Sequence, residues 1–326
     1  MGAITNKQVV LPKQYTQEII QALRGRSKAL ELGRRLPDMR TNELEINVLN
    51  SLAKAGWVKN AQSPANAEGY ELNRKPVSRI AWEGVTLKAE TLACIVTISE
   101  ETLADTEDFG VQVVPTISDQ VVDAFYQALD ATAFFGVDSP WANFVGIVAG
   151  ATAAEAVVEW DGTPGLSFYN AVSDAMSKVE NSGFIPNAIV GAPSLRSAFR
   201  NSITNLGVLT AEQGEVGALP KHYDYTGGFI DSTAFAIVGD FNYLVYAFRE
   251  DMSMKLLTEA TIKDGDREYN LAQQDMIGFR FKMRLGMALP NPVARVSAED
   301  GSQNTLKRGA KSYPFAIITK TASGSN

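Results

Sequence analysis

The 326-residue sequence predicts an α+β fold, and three observations carry that expectation. From Met276 to Leu289 the odd positions are apolar (Ile277, Phe279, Phe281, Met283, Leu285, Met287, Leu289) and the even ones largely small or cationic, which marks one long strand. From about Glu107 to Gly136 apolar residues recur at helical spacing (Val114, Ile117, Val121, Phe125, Ala128, Leu129, Thr132, Phe135), which predicts a helix of roughly 28 residues and about 40 Å. Between Glu68 and Ile98 lies a polar ribbon whose apolar positions change parity twice.

Residues up to about Asn60 read as an extended arm with a short helix signal at Tyr15 to Leu23 and a strand-like piece at Leu44 to Leu49. The small, polar, proline-containing stretch from Asn60 to Pro76 suits an outer loop. In the ribbon, Ile80 and Trp82 are even, Val85, Leu87 and Ala89 odd, and Leu92, Cys94, Val96 and Ile98 even again. Each switch moves the apolar set to the other face, so a bulge or bend is expected after Gly84 and again near Ala89. Ser99 is placed to cap a short helix with Glu100 and Glu101 in its first turn. The long helix follows, with Pro115 near its start and Gly136 as its stop.

Residues Gly136 to Gly165 look like loop. A helix is expected over Leu166 to Asn181 with Gly183 as its cap, then a buried strand at Ala188 to Val190 and a helix from Pro193 or Ser194 through Phe199. The glycine-rich stretch Leu206 to Ile230 reads as a long loop. Strands return at Ala234 to Val238, Tyr243 to Phe248, Met252 to Leu257 and, near the end, Phe315 to Thr319.

Composition narrows the function classes. Apolar content of 45% and charged content of 21% are those of an ordinary folded protein. No apolar run reaches membrane-spanning length and no secretory leader pattern is present, so the chain is expected to be made in a cytoplasm without contact with membrane. Cys94 is the sole cysteine and reads as a small hydrophobe in a strand. His222, the sole histidine, reads as a loop residue; without partners it builds no ordinary zinc site, and no G-x-S-x-G elbow supplies a nucleophile for a triad. Neither G-x-G-x-x-G nor G-x-x-x-x-G-K-[ST] occurs, so no nucleotide and no other cofactor is expected.

The net charge of −7 hides a segregation. Between Lys88 and Lys178 there is no Lys or Arg but 14 Asp and Glu, leaving 30 basic and 23 acidic residues elsewhere. Arg24, Arg26, Lys28, Arg34, Arg35 and Arg40 make a locally basic run, and Arg280, Lys282 and Arg284 share one face of the long strand. Two solvated faces of opposite sign would give this pattern. So would one subunit's basic arm meeting another's acidic face, where complementary charge sets register. An acidic protein, with pI about 5.0, is a poor general nucleic-acid binder.

Taken together, the two long matched elements, the bent polar ribbon, the extended N-terminus and the interrupted α/β lobe resemble the major capsid proteins of tailed phages, with the Hong Kong 97-type fold. The stretch Ile98-Ser99-Glu100-Glu101-Thr102-Leu103-Ala104-Asp105 looks like that family's link from extended loop to spine helix. Val121 to Gly136 is similar to the end of the spine, and Gly239-Asp240-Phe241 and Ile277 to Val296 resemble later core strands. Arg34-Arg35 to Trp57-Val58 is similar to the arm of actinobacterial-phage relatives.

The resemblance implies a shell subunit, not an enzyme, with an N-terminal arm over 1–62 and an extended loop over 63–98. A peripheral domain would combine 99–136 (the spine helix) with 252–298 (return strands), and an axial domain 137–251 with a tail at 299–326. It implies hexamers and pentamers closing an icosahedral shell around double-stranded DNA without sequence-specific binding, in a virion assembled in the host bacterial cytoplasm. A portal protein is an implied partner; scaffolding would come from another chain or be unnecessary, and a separate decoration protein is a further candidate partner. Interface candidates are Arg34, Arg35, Arg40, Lys75, Arg79, Trp82, Glu100, Glu101, Arg280, Lys282 and Arg284. For the crosslink made by some relatives, Lys75 and Lys88 lie in the loop region but no partner asparagine matches, so they read as surface lysines. Two other readings remain: an encapsulin-like compartment, which shares the fold but holds protein cargo, and an α+β hydrolase using His222.

Overall fold

The computed structural model describes residues 27–53, 77, 80–101, 103, 113–163, 166–201, 219–265, 267–292, 295–296, 304–305 and 312–321. In chain order the elements are helix α1 (Lys28–Leu32) and strands β1 (Arg34–Arg35), β2 (Glu43–Ser51), β3 (Ala81–Lys88) and β4 (Glu90–Ser99). Helices α2 (Val113–Phe135) and α3 (Ile147–Ala153), strand β5 (Val157–Trp160), helix α4 (Leu166–Asn181), strand β6 (Ala188–Gly191) and helix α5 (Ser194–Arg200) follow. The remainder is strand: β7 (Lys221–Tyr223), β8 (Ala236–Gly239), β9 (Val245–Leu257), β10 (Thr261–Asp264), β11 (Arg267–Asn270), β12 (Met276–Ala288), β13 (Arg295–Val296), β14 (Asn304–Thr305) and β15 (Phe315–Lys320), with a 3-10 turn at Phe241–Tyr243.

The alternating stretch becomes β12, whose 13 residues reach about 44 Å. It forms a four-stranded sheet in the order β1-β9-β12-β4. Its odd residues, Ile277 through Met287, belong to the main hydrophobic core together with Val121, Val122, Phe125 and Leu129 of α2. The long helix and the long strand therefore enclose one apolar layer, as the matched periodicities require. Helix α2 has 23 described residues, about 34 Å; the expected first turns, from Glu107, fall outside the described residues. Pro115 is the third of its described residues. Gly136, at φ +71°, ends it.

The 13-residue strand β9 replaces the two strands expected at Tyr243–Phe248 and Met252–Leu257. Against β12 its register shifts between Lys282 and Arg284 and again between Arg284 and Leu285, placing two extra residues in β9. The polar run Arg249-Glu250-Asp251 is thus a doubly bulged part of one strand and not a break.

The second sheet has five strands in the order β5-β15-β8-β6-β7. Its inner strands β6 and β8 are buried at every residue, and β15 brings the C-terminal segment into the middle, parallel to β5 and antiparallel to β8. Helix α4 packs Phe168, Val172, Ala175 and Val179 inward, and Gly183 at φ +84° follows its end. Two expectations are corrected here. The segment 136–165 holds helix α3 and strand β5, not only loop. His222 lies within β7, paired with Val190 of β6, and not in a loop; backbone pairing to a buried strand outweighs its polar neighbours.

Candidate assembly surfaces

The polar ribbon is a two-stranded antiparallel hairpin, β2 with β3, running from Glu43↔Lys88 outward to Ser51↔Ala81. Its register is regular through Gly84; the one irregularity lies between Leu49 and Ser51 on the partner strand. The bulge expected at Gly84 is therefore corrected: Ile80 and Trp82 are 54% and 64% exposed, so their parity marks no buried face. Lys75, Arg79 and the outer loop lie outside the described residues.

The second parity change is a real bend at Ala89, between β3 and β4. Leu87 and Ala89 are buried in a small cluster with Met39, Val245, Ala247 and Ala288. Leu92, Cys94, Val96 and Ile98 instead pack against the main core. In β12 the even residue Ala288 joins the small cluster and the odd residues the large one, so the two clusters occupy opposite faces of the four-stranded sheet. The chain passes from one face to the other at Ala89. Trp141, beyond the end of α2, fixes this hinge by donating its indole N–H to the Lys88 carbonyl at 2.7 Å. The Lys88 ammonium is engaged by Glu90 at 2.7 Å.

Ser99 does not cap as expected. Its hydroxyl is buried with no hydrogen-bond partner, and the Glu100 N–H is taken by the Asp275 carbonyl at 2.8 Å. Glu100 is half-buried and Glu101 exposed.

The basic candidates divide by what already holds them. Arg34 is exposed on β1, which joins β9 in parallel. Arg35 is paired with Asp38 and lies 5.3 Å over the Phe248 ring. Arg40 is exposed. Of the three cations on β12, Lys282 is bound to Glu250 at 2.8 Å, which holds the Glu250 carboxyl below its usual range. Arg284 donates to Asn42 at 2.7 Å, and Arg280 is exposed. Opposite in sign, Asp119 and Asp123 are exposed one turn apart on the outer face of α2.

His222 is 3.7 Å from Glu31 and is held below its usual range by partial burial, against the pull of Glu31. It lines a cavity of about 610 Å³ with Lys28, Asp123, Tyr223 and Tyr225. The cleft of about 870 Å³ where Ser194 donates to Asp231 at 2.9 Å is a different one. His222 and this serine–aspartate pair line different cavities. Among the described residues no three His, Cys, Asp or Glu side chains gather as metal ligands, and no helix is long and apolar enough to cross a membrane.

One polar centre was not anticipated. Asp130 is fully buried on the inner face of α2 and accepts from Ser27 Oγ at 2.7 Å, Ala29 N at 2.9 Å and Lys28 N at 3.3 Å. It thereby holds the first turn of α1 against α2. Thr226 Oγ1 stands 3.2 Å from Asp130 Oδ2 and 2.7 Å from Asp224 Oδ1. Burial pushes the Asp130 carboxyl up to about 6, opposed by its hydrogen bonds and assisted by Asp224. The signal was present in the sequence as an acid among Tyr126, Leu129, Ala133 and Phe134 on an apolar helix face.

Comparison with known proteins matches the model of the phage capsid family to residues 7–296. No curated protein matches the chain. A solved structure from Microbacterium phage Oxtober96 is 29% identical, with TM-score 0.72 over 90% of this chain and 91% of that one. One from Mycobacterium phage Adephagia shares the fold at 24% identity and TM-score 0.73, covering 92% of each chain. The capsid of the empty GTA particle shares it more distantly, at 14% identity and TM-score 0.52, over 99% of this chain and 94% of that one.

Proposed function

The chain belongs to the phage capsid family, and from that membership we propose that it builds the icosahedral shell of a tailed double-stranded DNA phage as hexamers and pentamers. The observation that carries this reading is the β2–β3 ribbon, which projects two large apolar side chains, Ile80 and Trp82, that its own subunit leaves exposed. A folded monomer gains nothing from an exposed Trp on a polar hairpin, whereas a subunit covered by its neighbours does. Such a shell closes by symmetry through heterologous contacts, and many individually weak interfaces sum to a strong one.

In this reading the arm (1–62) and extended loop (63–98) reach neighbouring subunits. The peripheral domain (99–136 with 252–298) would hold α2 and β12, its four-stranded sheet completed by β1 and β4 from the arm and extended-loop ranges, and the five-stranded sheet would centre the axial domain (137–251 with the tail at 299–326). Strand β9 runs across the 251/252 boundary and so would tie the two domains together. Exposed Arg34, Arg40 and Arg280 would meet acidic surface on the next subunit, with exposed Asp119 of α2 as one candidate. Lys75, Arg79, Trp82, Glu100 and Glu101 complete the interface set. Arg35, Lys282 and Arg284 would contribute less, because their own subunit already engages them. The shell would enclose DNA without reading its sequence, join a portal protein at one vertex, and take scaffolding or decoration from separate chains. Assembly would occur in the host cytoplasm.

Electron microscopy of the purified full chain tests the reading. Closed particles of uniform diameter are expected, and particles from infected cells should hold double-stranded DNA. A protein that stays monomeric at high concentration, or particles filled with protein cargo, would overturn it.

A further inference from the structure

The Ser27–Asp130–Thr226–Asp224 centre has a feature that simple cohesion does not need. Two buried carboxylates face one hydroxyl, and that hydroxyl has one hydrogen to give. Thr226 Oγ1 also receives the Gly228 N–H at 3.2 Å. Its shorter contact, 2.7 Å, is to Asp224 Oδ1, which the Thr226 N–H reaches as well at 2.8 Å. If Thr226 donates there, its 3.2 Å contact with Asp130 Oδ2 sets oxygen against oxygen unless that oxygen carries a proton. Asp224 is itself 1% exposed, and its Oδ2 has no hydrogen-bond partner. The Lys28 ammonium does not offset the pair, because it is bound to Glu31.

We infer that one proton, held on Asp130 Oδ2 and donated to Thr226 Oγ1, closes a latch that fastens the root of the N-terminal arm to α2. With the proton in place, every contact is a donor meeting an acceptor. Asp130 Oδ2–H gives to Thr226, Thr226 gives to Asp224, and Asp130 Oδ1 keeps the Ser27 and Ala29 donors. Loss of the proton leaves two buried anions and one hydrogen between them, and the opening that relieves this separates α1 from α2 and lets water reach Asp130. The latch sets how firmly Ser27 and α1 are held against α2, and so rests on the shell reading only for its use, not for its existence.

The direction of the pH dependence is fixed by where Asp130 titrates, about 6 closed against 3.8 in water. The closed form binds the proton more tightly, so its advantage is fully present below about pH 3.8 and is lost as pH rises through about 6. Asp224 faces Asp130 across Thr226, while Lys28, Asp123, Lys221 and His222 line the cavity that Thr226 borders, with Glu31 beside His222. Of these Asp224 bears on Asp130 in the same direction as burial. His222, held below its usual range, works in the opposite sense, because acid favours forms in which it is exposed.

Hydrogen exchange of the full chain, corrected for intrinsic rates, tests this on the peptide covering 27–32. In the wild type the opening of this peptide should be about tenfold more frequent at pH 7.5 than at pH 5. Asp130→Asn, which keeps an acceptor for Ser27 and a donor for Thr226, should remove that change. His222→Gln should retain it. Should Asp130→Asn fail to fold, carbon-13 titration of the aspartate carboxyls in the wild type serves instead, with one resonance expected near pH 6. Flat exchange in the wild type, an unchanged dependence in Asp130→Asn, its loss in His222→Gln, or aspartates titrating only near 4 would each overturn the latch. None of these outcomes depends on whether particles form, so failure of the latch and failure of the shell reading are distinguishable.

Discussion

The indole N–H of Trp141 donates to the carbonyl of Lys88 at 2.7 Å, tying the loop beyond α2 to the residue at which the ribbon leaves the sheet. This contact sits beside the bend at Ala89, where the chain crosses from one face of the four-stranded sheet to the other. It adds to the other holds on the ribbon root, the packing of Leu87 and Ala89 and the Ala89 N–H bonded to the Asn42 carbonyl at 2.8 Å. Trp141→Phe keeps an aromatic ring against Phe144, whose centroid is 5.8 Å away, and removes the donor together with part of the ring. A loss of about 1 kcal/mol in urea unfolding is expected. Amide exchange at Ala89 and Glu90 should rise more than in the five-stranded sheet; uniform loosening across both sheets would show that the hinge is not a local fastening.

Gly136 and Gly146 stop α2 as a matched pair. Both have positive φ, +71° and +83°. A Cβ on Gly136 would strike the Val145 carbonyl, and one on Gly146 would strike the Gly136 backbone. Neither neighbour is a flexible side-chain end, so Gly136→Ala should cost more than the roughly 1 kcal/mol usual for leaving a left-handed position. Thermal unfolding measures this. An unchanged midpoint would mean that the 136–146 turn relaxes freely.

Tyr313 lies over Gly150 in α3 so closely that an alanine Cβ there would collide with the phenol. The ring is buried and stacks obliquely on Phe315 at 5.7 Å. Gly150→Ala improves helix propensity by up to about 1 kcal/mol, yet it must displace Tyr313 from the core. Net destabilisation of about 1–3 kcal/mol is expected. A stabilised protein would indicate that Tyr313 has another place to go.

What was legible in the sequence followed from periodicity. Met276–Ala288 and Leu166–Asn181 keep one period throughout and formed as read. Strand β9 read as two because its extra residues put Arg249, Glu250 and Asp251 in succession, and a doubly bulged strand has no single period. Helix α3, Ile-Val-Ala-Gly-Ala-Thr-Ala, has no polar face to contrast with a buried one. Strand β7 is three residues long and its partner β6 lies some thirty residues earlier, so nothing local marks it. The latch shows the same limit: Asp130 is conspicuous on an apolar helix face, but Ser27 lies 103 residues away and Thr226 96. Segregated charge was readable as composition. Which cations remain free on the surface was not, because Arg35 and Lys282 are engaged by neighbours that only the fold supplies.

That distinction decides how charge-guided assembly should be tested. Reversing Arg34 and Arg35 together would set a second carboxylate beside Asp38 and strip the cation from the Phe248 ring, a change of up to about 1 kcal/mol in the subunit itself. Arg34 is exposed and its backbone N–H, which bonds the Leu244 carbonyl at 2.7 Å, survives substitution. Arg34→Glu alone should therefore leave the unfolding midpoint of the subunit within about 0.5 kcal/mol of wild type while lowering the yield of closed particles, most at low salt, where unscreened repulsion is largest. Trp82→Ala offers the apolar counterpart: the ring is 64% exposed, so subunit stability should hardly move and particle yield should fall at every salt concentration. Particle yields read by light scattering across ionic strength separate the two. Normal particles from Arg34→Glu at low salt would remove charge from the assembly mechanism, and normal particles from Trp82→Ala would remove the ribbon tip.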